Sequence, residues 1–287
     1  MATSEETSTI PAPRAGGTGE TGETGGALLE VRGLRVVFDG FVAIGGIDFT
    51  VSRGELRFLI GPNGAGKTTL VDVITGLTKP AAGSVRFAGT ELVGRREYRI
   101  VKLGIGRTFQ TATVFEDLTV LENIDLAASF RLAVPKLFLR RRGISDPVAQ
   151  VLETTQLAEL ANRKAGILSH GQRQWLEIGM LLAQDPQLLL LDEPVAGMTK
   201  EERERTGVLL QQIAKEHTVV VIEHDMEFLR RFASVVTVLH EGKVLTEGTV
   251  AEVQADPRVQ EVYLGRKKED DESGGAAAAA LGLEATP

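Results

Sequence analysis

One eight-residue stretch constrains this chain more than any other. Gly61-Pro-Asn-Gly-Ala-Gly-Lys-Thr68 has the spacing G-x-x-x-x-G-K-[ST]. It follows the apolar run Leu56–Ile60 and precedes a helical pattern through Val71, Ile74 and Leu77. A buried strand feeding a helix through a glycine-rich turn predicts an α/β fold. Gly61, Gly64 and Gly66 let the backbone turn tightly and approach a ligand closely. The loop amides, Asn63 and Ala65 among them, then gather at a helix N-terminus, where the dipole favours anions. Lys67 is placed to reach β- and γ-phosphates. The Thr68 hydroxyl is placed to ligate magnesium, with Thr69 offering a second hydroxyl.

A second element supports this. Leu188–Leu191 reads as a buried strand that delivers Asp192 and Glu193 at its C-terminal end, where α/β sheets bind ligands. Asp192 suits magnesium, and Glu193 suits a general base acting on water. Elsewhere, strands are expected at Leu29–Phe38, around Phe49 and Val51, and at Ser84–Phe87, Thr218–Ile222, Val235–His240 and Lys243–Thr246. Helices are expected at Glu201–Lys215 and Met226–Phe232. From about 111 to 183 helical periodicity dominates, in Val120–Phe130, Val148–Leu160 and Gln172–Ala183. Alternating strands and helices imply a mainly parallel sheet covered on both faces, with an inserted helical subdomain. One nucleotide-binding unit is expected over 27–265, between disordered tails at 1–26 and 266–287.

A third motif narrows the class. Leu168-Ser-His-Gly-Gln172 precedes a helix shortly before the acidic strand. With it the chain resembles the ABC ATPase family, over roughly residues 28–265. The resemblance implies a P-loop NTPase core with an N-terminal antiparallel β part, and ATP hydrolysis with Mg2+. It implies that Gln110 senses the γ-phosphate and helps hold the metal, and that His224 acts beside Glu193. On physical grounds alone His224 reads more readily as a cap at a helix start; the complete motif set reverses that. The family works as a pair of ATPases, with Ser169, Gly171 and Gln172 of one subunit closing over the nucleotide of the other. An aromatic residue stacks on adenine in this family. Phe38 matches its position best, with Phe41 second, and either also reads as ordinary core.

Two departures stand out. His170 replaces the middle glycine of the signature, so its imidazole must point away from the phosphate or contact it. Thr199 stands where many relatives carry Asp. Within the family, Gly104–Gln110, Leu118–Asn123, Glu247–Val250, Asp256–Val259 and Tyr263–Gly265 resemble the ATPases of branched-chain amino-acid importers. Leu168–Met180 and Pro194–Thr199 resemble the ATP-binding subunit of urea importers. On that basis urea is the expected cargo and branched-chain amino acids the alternative. The implied partners are membrane-spanning permease subunits, a second ATPase chain (heterodimer or homodimer) and, indirectly, a solute-binding protein outside the membrane.

Composition sets the remaining bounds. The net charge of −7 argues against a nucleic-acid partner. No cysteine is present, which rules out disulfides and cysteine zinc sites. No apolar stretch reaches the roughly 20 residues of a membrane span, and the N-terminus lacks a signal-peptide pattern. The family resemblance implies a location on the cytoplasmic face of the membrane, with the chain held there by the permease. Arg140–Arg142 offers either a membrane-facing basic surface or a solvated loop. A soluble ABC ATPase of translation or repair is the rival reading. Such proteins typically carry two ATPase domains or a long coiled coil, and neither pattern occurs here.

Overall fold

The structure is a computed structural model that describes residues 26–108, 114–131 and 144–265. Arg140–Arg142, Gln110 and both expected tails lie outside the described residues, apart from Gly26 at the edge of the first. Two sheets organise the rest. β1 (Ala27–Phe38) and β2 (Phe41–Ser52) form an antiparallel hairpin. It turns at Asp39-Gly40, both with positive φ, as an Asp-Gly hairpin turn requires. β4 (Ala82–Phe87) adds antiparallel to β1, and β5 (Thr90–Glu91) to β4.

The second sheet runs in the order β10-β9-β3-β8-β7-β6. Its strands are β3 (Leu56–Ile60), β6 (Ile105–Arg107), β7 (Leu188–Asp192), β8 (Thr218–Ile222), β9 (Val235–His240) and β10 (Lys243–Gly248). All pairings are parallel except β9 with β10. Every residue of β3, β7 and β8 is buried, as a sheet covered on both faces demands. Alternation assigns the faces. Phe58, Ile60, Leu189 and Leu191 enter one apolar cluster, while Leu59, Leu188 and Leu190 enter the other. The second cluster is shared with the antiparallel sheet and with α1 (Lys67–Thr75). The first is shared with α3 (Val120–Ala128), α4 (Asp146–Thr154), α5 (His170–Leu182), α6 (Lys200–Ile213) and α7 (Met226–Phe232).

The helices between 114 and 182 cross closely. Gly179 of α5 lies where an added Cβ would stand 3.2 Å from Thr155 and 3.3 Å from Val151. A side chain there would push α5 off α4.

The helix expected over Val148–Leu160 ends at Thr154. Gln156 takes φ 57°, and the Leu157 N–H bonds back to the Leu152 carbonyl at 2.9 Å. That six-to-one bond closes the helix, and periodicity does not reveal it. Three helices and two strands had no sequence expectation: α2 (Glu97–Leu103), α8 (Val250–Ala255), α9 (Pro257–Gly265), β5 and β6. A signal for α8 was present, since Thr249 and Glu252 form a capping box.

Candidate nucleotide-binding site

The glycine loop is fixed by what surrounds it. Gly61 takes φ 150°, and a Cβ there would stand 2.2 Å from the Leu239 carbonyl oxygen of β9. Gly66 takes φ 98°, with its would-be Cβ 2.9 Å from the Ala43 carbonyl oxygen of β2. Strands from both sheets therefore press the loop into place from behind. Gly66 caps α1 without any side-chain hydrogen bond, so the first amides of the helix stay available to an anion. The Lys67 Nζ donates to the carbonyls of Gly61 (2.7 Å) and Pro62 (3.1 Å).

The loop lines an open cleft of about 340 Å³. Asn63, Gly64, Ala65, Gly66, Lys67, Thr68 and Thr69 form one side. Asp192 and Glu193 meet them from the end of β7. Phe38 and Phe41 flank the mouth, 47% and 68% exposed, so neither is core. Large exposed rings beside a phosphate loop suit stacking on a base.

Asp192 is 4% exposed. Its backbone N–H donates to the Thr108 hydroxyl at 3.0 Å, and the Thr108 N–H donates to the Leu190 carbonyl at 3.0 Å. Arg107 approaches its carboxylate at 3.8 Å, yet Asp192 Oδ2 has no hydrogen bond. Burial pushes the Asp192 carboxyl upward, and the nearby charge of Arg107 opposes that. An unsatisfied buried carboxylate oxygen facing a phosphate loop fits a hard divalent cation. Among the described residues no cluster of three acidic or imidazole side chains forms a metal cage. Asp192 with the Thr68 hydroxyl matches Mg2+ better, because that ion takes few protein ligands and several phosphate and water oxygens.

Glu193 stands beside it with φ 48°, a left-handed conformation uncommon outside glycine. Its N–H donates to the Ile222 carbonyl at 2.9 Å. Its Oε1 lies 3.2 Å from His224 Nδ1. The alternative role of His224 as a helix cap fails, because Asp225 caps α7 through the Phe228 N–H at 2.9 Å.

Ser169, Gly171 and Gln172 do not line this cleft. Ser169 caps α5, in a reciprocal box with Gln172. The Ser169 hydroxyl also donates to Glu202 at 3.3 Å. His170 Nε2 sits 3.0 Å from the Ala196 carbonyl oxygen, turned onto the loop after the acidic pair. Thr199 caps α6 in a box with Glu202.

Sequence reasoning missed Arg107, Thr108 and Glu223. The first two lie in a stretch used only for its family likeness. They reach Asp192 because β6 pairs parallel with β7. Glu223 directly follows the run Thr218–Ile222 and belongs to no motif in the sequence, yet it is 2% exposed. Burial pushes its carboxyl upward, against the backbone N–H groups of His224, Val195 and Asp225.

Comparison with known proteins agrees with this geometry. Residues 44–196 match the family described as ABC transporter, and residues 243–269 match the branched-chain amino acid ATP-binding cassette transporter family. The chain is 35% identical over 249 residues to the high-affinity branched-chain amino acid transport ATP-binding protein BraF of Pseudomonas aeruginosa, covering 83% of this chain and 98% of BraF. It is 34% identical over 249 residues to LivG of Escherichia coli, a protein of the same description, with the same coverage. The ADP conformation of MJ1267, an ATP-binding cassette of an ABC transporter, superposes with a TM-score of 0.73 at 31% identity, covering 83% of this chain and 99% of that one. The urea assignment is thereby overturned. These relatives and the C-terminal family match are of the branched-chain amino-acid type. The two stretches that suggested urea are most of α5 with its cap and the loop leading to the cap of α6.

Proposed function

Because this chain belongs to the ABC transporter family as an ATP-binding subunit, we propose that it powers import of branched-chain amino acids, paired with a second ATPase chain on the cytoplasmic side of permease subunits. The observation that carries the cargo is the branched-chain match at residues 243–269, within a likeness to BraF over 83% of the chain. A solute-binding protein outside the membrane delivers the amino acid to the permease. No described helix is long and apolar enough to cross a membrane, so the permease supplies the attachment.

The chemistry follows from the cleft. Phe38 or Phe41 stacks on adenine, and the amides of residues 63–66 with Lys67 hold the phosphates. Asp192 and Thr68 would hold Mg2+, which would offset phosphate charge; Gln110, which the family resemblance adds to this set, lies outside the described residues. Glu193 takes the proton of the attacking water as general base. His224, 3.2 Å away, holds that carboxylate in place. Ser169, Gly171 and Gln172 lie outside this cleft and complete the cleft of the partner ATPase instead.

Glu193→Gln tests the reading. The amide keeps the side-chain size but cannot act as a base. ATP binding should persist, with hydrolysis down about 10²–10⁴-fold. Uptake of labelled leucine by cells carrying this variant should fall to background. Parent-level leucine uptake would remove the cargo assignment, and parent-level hydrolysis would remove the general-base assignment.

A further inference from the structure

We propose that Glu223 is a positioning residue for hydrolysis: its buried carboxylate ties the loop that carries Glu193 to the segment that carries His224. The inference rests on the roles given above to Glu193 and His224.

β7 and β8 run parallel, with Asp192 opposite Ile222, so both strands end at one level. Beyond them the chain must hold two side chains on separate segments 3.2 Å apart. Glu193 sits in a left-handed conformation that persists only when its surroundings impose it. One backbone strap does this, from Glu193 N–H to the Ile222 carbonyl. Glu223 supplies the second. Its Oε1 accepts from the Val195 N–H at 3.3 Å, two residues beyond Glu193. Its Oε2 accepts from the His224 N–H at 3.0 Å and, less closely, the Asp225 N–H at 3.4 Å.

The residue type supports the assignment. Glu223 continues the run Thr218–Ile222, in which every residue is buried, and burying an acid there is costly without partners. Both oxygens are used, and they face different segments. Glutamine keeps the size but has one accepting oxygen, so its NH2 must face a donor on one side. Val195 is 3% exposed, so its N–H has little access to water as a substitute.

A scaffold residue and a positioning residue differ in what they move. The test is steady-state ATP hydrolysis by the full-length chain in its co-purified transporter complex, with Glu223→Gln, Glu223→Asp, His224→Ala and the double variant Glu223→Gln/His224→Ala. Glu223→Gln should lower kcat about tenfold to a hundredfold, with KM for ATP within about twofold. Glu223→Asp keeps the charge but withdraws it from Val195, so it should also lose kcat. In the His224→Ala background, Glu223→Gln should cost no more than about a further twofold, because the contact it sets is already gone. Parent-like kcat in both single Glu223 variants overturns the inference. So does an equal fold-loss in both backgrounds, which marks a structural effect only. If Glu223→Gln does not fold, Glu223→Asp carries the same decision. Glu193→Gln runs alongside. Intact hydrolysis in that variant counts against the general-base reading, whereas its loss beside parent-like Glu223 variants counts against this inference alone.

Discussion

Gly61→Ala is the sharpest probe of the phosphate loop, because the structure fixes both its direction and its size. The added methyl would sit 2.2 Å from the Leu239 carbonyl oxygen, where ordinary contact begins near 3.4 Å. Something must therefore move by about 1 Å. Leu239 is fully buried in β9, which pairs with β3 on one side and β10 on the other, so the loop yields first. Alanine also resists φ 150°, at a cost on the order of 1–3 kcal/mol. With overpacking of about 1–3 kcal/mol, the melting temperature should fall on the order of 5–10 °C without nucleotide. Gly64→Ala is the control, since it shares a positive φ but meets nothing within 4 Å. Its melting temperature should fall less. A loop displaced by about 1 Å should also cost about a hundredfold in hydrolysis, or ~2.7 kcal/mol. The assays are thermal melts without nucleotide and ATPase turnover. A Gly61→Ala protein that melts no lower than Gly64→Ala, or turns over ATP like the parent, refutes the reasoning.

Two further predictions concern stability. Asp225→Ala removes the cap of α7 and the partner of Arg203, and should cost about 1–2 kcal/mol in a thermal melt. Burial alone would raise the Asp225 pKa, but the Phe228 N–H and Arg203 outweigh it and hold it below its ordinary 3.8. The ionised form's contribution is therefore present above 3.8 and lost as pH falls through the lower folded value, so melts of parent and variant should converge in that acid range. Gly207→Ala gains about 1 kcal/mol of helix propensity but drives a methyl to 2.3 Å from the Phe232 ring, itself packed at a tilt against Phe228 with centroids 5.0 Å apart. Overpacking of about 1–3 kcal/mol should win and lower the melting temperature. A higher melting temperature would show that the ring yields freely.

What the sequence revealed, it revealed where one local rule governs. The loop from Gly61 to Thr68 is legible because turn geometry and close backbone approach both demand glycine at fixed spacing. Leu188–Glu193 is legible because a buried parallel strand must be apolar until it ends. Arg107 and Glu223 were illegible for the opposite reason. Each gets its environment from a strand distant in sequence, Arg107 through β6 beside β7 and Glu223 through a loop leaving β7. The end of α4 at Thr154 depends on a left-handed Gln156, which no apolar period encodes. Cargo failed differently. The residues of the cleft described above are those of a nucleotide site and carry no mark of a solute, and short likenesses at α5 and before α6 pointed to the wrong importer.

The two departures from the family signature have an account within the chain. An imidazole in place of glycine at 170 would crowd an anion beside Ser169 if it faced the same way. Instead its Nε2 meets the Ala196 carbonyl, and Gly197, at φ 70°, leaves room for the ring 3.5 Å from where its Cβ would be. Thr199 keeps the capping function that an aspartate at that place would serve, through Glu202. Glu202 in turn accepts from Ser169 and holds its own carboxyl low, through Thr199 foremost. The start of α5 and the start of α6 are therefore joined through one carboxylate. For Ser169 to serve a phosphate on a partner subunit, its hydroxyl must exchange one anionic acceptor for another. At 3.3 Å the present contact is long for a hydroxyl on a carboxylate, so releasing it would cost little.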